Sequence, residues 1–115
     1  VGDVHGCMAD GEFSGVADEC AAESRLRCTV IKGKNIPHVR IEKPNSIIQV
    51  CCYRPLEEAV KKAFLWMIDW LHEDYGKSRR DAYIHLSINP KVRINIYQMV
   101  MADRLEFTVG VQCPK

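Results

Sequence analysis

A chain of 115 residues holds one ordinary hydrophobic core and is too short for two, so residues 1–115 are expected to form a single domain or part of one. A hydrophobic share of 47% with 27% charged residues is that of a folded globular protein, which excludes disorder as the default. Sixteen Lys and Arg against fifteen Asp and Glu leave a formal charge of +1, which gives no reason to expect nucleic acid or an anionic membrane as partner.

The chain opens on VGDVHGCMADGE, which gathers Asp3, His5, Asp10 and Glu12 between glycines and has no apolar period. Such a segment is either a polar surface loop or a site. From 24 to 31, Leu26, Cys28 and Val30 alternate with Arg25, Arg27 and Thr29, which predicts a strand with one solvated face, ended by a turn at 32–35. Residues 47–53 predict a second strand, apolar enough to be buried on both faces.

After Arg54 the period lengthens. Leu56, Ala59, Val60, Ala63, Phe64, Met67, Trp70 and Leu71 recur at three and four residues and predict an amphipathic helix. Pro55 suits its first turn, Glu57 and Glu58 suit its dipole and are each followed four residues on by a lysine, and Gly76 is the expected stop. Trp66, Met67 and Trp70 belong to its core and interface stripe. The run Ser78 to Asp81 resembles a capping box and opens a shorter helix to about Ser87, before Pro90.

Two alternating runs follow, Val92 to Tyr97 and Arg104 to Val111, with a break at Ala102 and Asp103 that would make them a hairpin. Strands, two helices and strands again predict an α+β fold: a β-sheet with two consecutive helices packed on one side and a C-terminal β-hairpin. The longest apolar run, 63 to 68, is far short of a bilayer span, and the composition reads as that of a soluble, cytoplasmic protein.

Six cysteines, at 7, 20, 28, 51, 52 and 113, lie mostly within apolar segments and form no paired zinc knuckles, so free buried thiols are expected. Cys51 and Cys52 would point to opposite faces of their strand. His38, His72 and His85 read as structural, with His72 a partner for the helix dipole. Cys7, close to His5, is a minor candidate nucleophile.

Carboxylates and an imidazole in one turn-rich segment are what hydrolysis of an unreactive bond needs: ligands for a divalent cation, or a base for water and an acid for the leaving group. The GDVH and MADGE segments, followed by Ser14-Gly15 and Asp18-Glu19, resemble the acetamidase/formamidase family. The likeness continues through Val30 to Lys34, Pro55 to Ala59, Tyr75 to Ser78, Asp81 to Tyr83, Arg93 to Asn95 and the terminal Pro114-Lys115. Ala9 and Val16 depart from the family pattern, where Gly and Thr are usual.

The resemblance implies hydrolysis of small linear amides, formamide or acetamide, to ammonia and a carboxylate. It implies a C-terminal portion of a longer enzyme whose N-terminal portion is a partner for the site, with homo-oligomeric assembly, and the opening on Val1 agrees with that. Glu12 is expected to activate water or shuttle its proton, with Asp10 and His5 beside it; His5, Asp3 and Asp10 would hold a divalent cation such as zinc. The alternative is a non-catalytic α+β module for structure or subunit association.

Overall fold

The computed structural model describes residues 5–6, 8–16, 18–99 and 106–115. Four strands and two helices follow one another as β1 (Arg40–Glu42), β2 (Ser46–Tyr53), α1 (Leu56–Tyr75), α2 (Arg79–Ile88), β3 (Arg93–Gln98) and β4 (Phe107–Pro114). The sheet order is β1-β2-β4-β3 and every pairing is antiparallel, so the architecture is the α+β arrangement the sequence predicts, including the β3–β4 hairpin. The hairpin break at Ala102 and Asp103 lies outside the described residues.

Period two decides which side of the sheet takes the helices. Ile47 and Cys51 of β2 share the core with Val109, Val111 and Cys113 of β4. Against them α1 sets Ala59, Ala63, Met67 and Trp70, none more than 1% exposed. Two alanines one turn apart leave no bulk between backbones, which lets α1 lie close on the sheet while Met67 and Trp70 fill the space beyond. Leu86 and Ala82 of α2 close the same core.

The helix ends follow their local chemistry. Pro55 is the N-cap of α1 and Glu57 and Glu58 lie in its first turn, while Gly76, at φ 68°, takes the left-handed cap and donates its N–H to the Leu71 carbonyl. His72 Nδ1 donates to the Lys77 carbonyl just past the helix end, at 2.7 Å. Ser78 caps α2 by accepting the Asp81 N–H at 3.0 Å, and its hydroxyl donates back to Asp81 Oδ2 at 2.7 Å. The i,i+4 pairing expected on α1 is replaced: Lys61 reaches Glu58 at 3.2 Å, one position nearer, and Lys62 lies 4.4 Å from the centre of the Tyr53 ring.

Three sequence expectations are corrected. Residues 24–31 form no strand, and Leu26 and Val30 are 77% and 84% exposed. An alternating pattern becomes a strand only where an edge pairs with it and a surface covers its apolar face, and the described residues provide neither. Among the described cysteines the buried thiols are Cys51 and Cys113; Cys52 is half-buried, and Cys20 and Cys28 are exposed, Cys28 within this uncovered segment and Cys20 before it. Residues 47–51 are buried as predicted, while Cys52 is half-buried and Tyr53 exposed, and the buried run includes Gln49, on the helix side, which accepts from Arg40 Nε at 3.1 Å and donates to the carbonyls of Val39 and Val50. Those bonds remove the cost of burying its amide.

On the face away from the helices, β3 carries an irregularity between Ile96 and Gln98. There Tyr97 lies over Gly110: a Cβ at residue 110 would come within 2.7 Å of the Tyr97 ring and 2.8 Å of Ile48 Cγ2. A bulge that re-aims one side chain is a common device at a sheet edge, and β3 is the edge on which the candidate site rests.

Candidate functional site

The opening segment is anchored at two places. Near its start, His5 and Glu19 form an isolated antiparallel bridge, and the Gly6 N–H donates to the Asp18 carbonyl at 2.7 Å. The Asp18 carboxylate packs over Gly6 so closely that a Cβ there would be 2.8 Å from Oδ2. Thus the backbone brings Asp18 and Glu19 beside His5. Further on, the chain reverses at Asp10 and Gly11, with Glu12 N–H donating to the Ala9 carbonyl at 3.2 Å.

Gly11, at φ 84°, adopts the left-handed backbone that a side chain disfavours, and in that conformation its N–H donates to the Ile96 carbonyl at 2.7 Å. The segment is thereby tied to the open edge of β3. Asp10, Gly11, Ile94, Asn95, Ile96 and Met99 line an open cleft of about 330 Å3 at this junction. Asp10 is exposed at its mouth, Glu12 is half-buried behind the turn, and His5 is exposed at the other anchor.

Of the four residues singled out by sequence, Asp10 is placed in the cleft, Glu12 two residues beyond it and His5 at the bridge; Asp3 lies outside the described residues, as does Cys7. Among the described residues no three His, Cys, Asp or Glu side chains gather as a metal centre. The donors seen do not make a cation site by themselves.

Asn95 is the cleft residue that sequence reasoning left without a role. Its Nδ2 donates to Gln112 Oε1 at 3.2 Å and lies 3.4 Å from Tyr97 Oη, and Gln112 Nε2 in turn donates to Ser46 Oγ at 3.4 Å. This row of amides and hydroxyls crosses the sheet from the cleft to β2 and fixes the Asn95 side chain. The only signal for it in the sequence was Arg93-Ile94-Asn95 within the family likeness; no local pattern marks a carboxamide on a strand edge as a cleft wall.

The fold and cleft define an α+β unit in which a carboxylate-rich, glycine-hinged segment docks on the edge of an antiparallel sheet. A solved acetamidase from Yersinia enterocolitica is similar to this chain: 33% of aligned residues are identical, the TM-score is 0.57, and the match covers 65% of this chain and 21% of that one. The resemblance drawn from the GDVH and MADGE segments is borne out by this match, and the chain spans about a fifth of that acetamidase's length, 21%, as a C-terminal portion would. No family model matches the chain, and no curated protein does. Among the described residues no helix is long and apolar enough to cross a membrane.

Proposed function

We propose that this chain is part of an enzyme hydrolysing small linear amides of the formamide or acetamide type, and that it supplies Glu12, Asp10 and His5 to the site. The observation that carries the reading is the likeness to an acetamidase at 33% identity, joined to a carboxylate-bearing turn docked at a cleft. In this mechanism Glu12 takes a proton from water as the water oxygen bonds to the amide carbon. The C–N bond then breaks, the proton passes to the departing nitrogen, and ammonia and the carboxylate result. Asp10 and His5 orient water and amide; no step is routed through a cation. The rest of the enzyme completes the walls of a cleft that is open in this chain, and we place the protein in the cytoplasm.

The test is ammonia release from formamide and acetamide by this chain and by the complete enzyme, each beside its Glu12→Gln variant, with metal content measured on the same samples. Activity of the complete enzyme that Glu12→Gln abolishes supports the reading. An active enzyme indifferent to that change removes Glu12 from the mechanism, and metal in stoichiometric amount that Asp3→Asn or His5→Gln releases supports the divalent cation.

A second reading has its own observation. Phe64, Leu65 and Ile68 of α1 and Tyr83 and Leu86 of α2 line a largely apolar groove of about 460 Å3, with Leu65 54% and Tyr83 63% exposed. Under this reading the chain serves subunit association without catalysis, and the complete protein would assemble yet release no ammonia.

A further inference from the structure

A cavity of about 480 Å3 opens where the N-terminal end of β2 and the C-terminal end of β4 meet the ends of the helices, and it shares no residue with the cleft at β3. Its floor is apolar, made by Ile47, Leu71 and Pro114, with the Tyr75 ring as one wall. Its polar residues are cationic or neutral: Lys77, Lys91 and Lys115 with His85 and Asn89, and no Asp or Glu lines it. In a chain of formal charge +1 that is an uneven local distribution.

The lysines are not equally committed. Lys115 Nζ pairs with Glu42 at 3.2 Å, whereas Lys77 and Lys91 make no ion pair among the described residues. Asn89 Oδ1 accepts the Lys91 N–H at 2.9 Å, and Asn89 Nδ2 lies 3.3 Å from His85 Nε2, so the imidazole is held against its neighbour. The uncommitted charge at the mouth is that of the two ammonium groups.

We propose that this cavity binds an organic carboxylate with an apolar body. The hydrocarbon would lie against the exposed faces of Tyr75, Pro90 and Pro114, above the buried Ile47 and Leu71, and the carboxylate would lie between Lys77 and Lys91, whose charges are otherwise unanswered. A bare inorganic anion leaves the Tyr75 ring and the prolines uncovered, and a neutral molecule leaves the ammonium groups unpaired. The combination selects an amphiphilic anion over either, and the site does not depend on the amide-hydrolysis reading.

The test is a titration of this chain with hexanoate, hexanamide and inorganic phosphate, followed by backbone amide NMR shifts. Hexanoate should give saturable shifts at Tyr75, Lys77, His85 and Lys91, and hexanamide, equal in length but uncharged, should bind about tenfold more weakly. The Lys77→Gln/Lys91→Gln double variant should weaken hexanoate by about tenfold, leave hexanamide unchanged and keep the melting temperature, because both side chains are at the solvent boundary. Equal binding of hexanoate and hexanamide, phosphate binding as tightly as hexanoate, hexanoate binding unchanged in the double variant, or no shifts at these residues would each overturn the proposal.

Discussion

The guanidinium of Arg40 lies 4.9 Å from the centre of the Trp70 ring, and this contact joins the edge strand β1 to the last turns of α1. The Arg40 side chain is only 7% exposed; it donates to Gln49 Oε1 at 3.1 Å and approaches Glu73 at 3.4 Å and Asp74 at 4.0 Å. Trp70 Nε1 donates to Asp74 Oδ2 at 2.9 Å, so indole, carboxylate and guanidinium brace one another. Arg40→Ala would remove a packed, charged side chain and one partner of the buried Gln49. The expected loss is about 3 kcal/mol, read as a shift in denaturant midpoint at constant slope. Lys61→Ala, which breaks only an exposed pair, should cost about 0.5 kcal/mol or less; equal losses in the two variants would show that Arg40 is not the brace.

Asp74 gives this brace a pH dependence. Its carboxyl is held below the ordinary carboxylate range chiefly by the hydrogen bond from the Lys34 ammonium, against a smaller opposing effect of desolvation, with further help from the Lys34 charge, the Trp70 N–H and Arg40. A pKa lower in the folded than in the unfolded state means that the stabilisation is fully present above the unfolded value, about 4, and is lost as pH falls through the folded one. Wild type should therefore lose stability relative to Asp74→Asn as pH falls below about 4, and the gap between them should be constant above about pH 5. Chemical denaturation across that range checks it, and parallel curves would remove Asp74 from the acid response.

The thiols divide by burial. Desolvation raises the Cys51 thiol above its usual range, with Cys52 adding to the rise, and burial raises Cys113 against the lowering influence of Lys77. A neutral, inaccessible thiol reacts slowly. Among the described cysteines, Cys20 and Cys28 should label rapidly in the native protein, and Cys51 and Cys113 only on unfolding, with mass spectrometry of peptides assigning each. Rapid native labelling of Cys113 would mean that the end of β4 opens readily.

The sequence spoke most clearly where one residue pattern had one physical solution. Ala59, Ala63, Met67 and Trp70 define a single buried stripe, Gly76 a single cap and Ser78 with Asp81 a single helix start, and all three are found. Residues 24–31 misled because alternation states which residues share a face and not whether anything covers it. The strand Arg40–Glu42 was invisible, since three residues carry no period, and its register is set by pairing with Ile47 to Gln49. The candidate site was read from the sequence as a segment. Its geometry was not, because the contacts that shape it, Gly6 to Asp18 and Gly11 to Ile96, join residues far apart in order through backbone groups that every residue type shares.

The contact between Gly11 and Ile96 is where fold and proposed chemistry meet. Nothing lies within 4 Å of a Cβ placed on Gly11, so a substitution there meets no steric obstacle; the cost is the left-handed backbone alone, about 1 kcal/mol for Ala. In Gly11→Ala that cost opposes the hydrogen bond to the Ile96 carbonyl, whose own net value is about 1 kcal/mol. The two are close to balance, so the turn should detach from β3 in an appreciable fraction of molecules while the core between α1 and the sheet, to which Gly11 contributes no side chain, keeps its stability. Hydrogen exchange of the residue 11 amide should be faster in the variant than in wild type, with the global melting temperature unchanged. In the complete enzyme, amide hydrolysis should fall because Asp10 and Glu12 are no longer held at the cleft. Faster exchange with undiminished hydrolysis would separate the turn from the reaction and move the search for its acid and base to the bridge of His5 with Glu19.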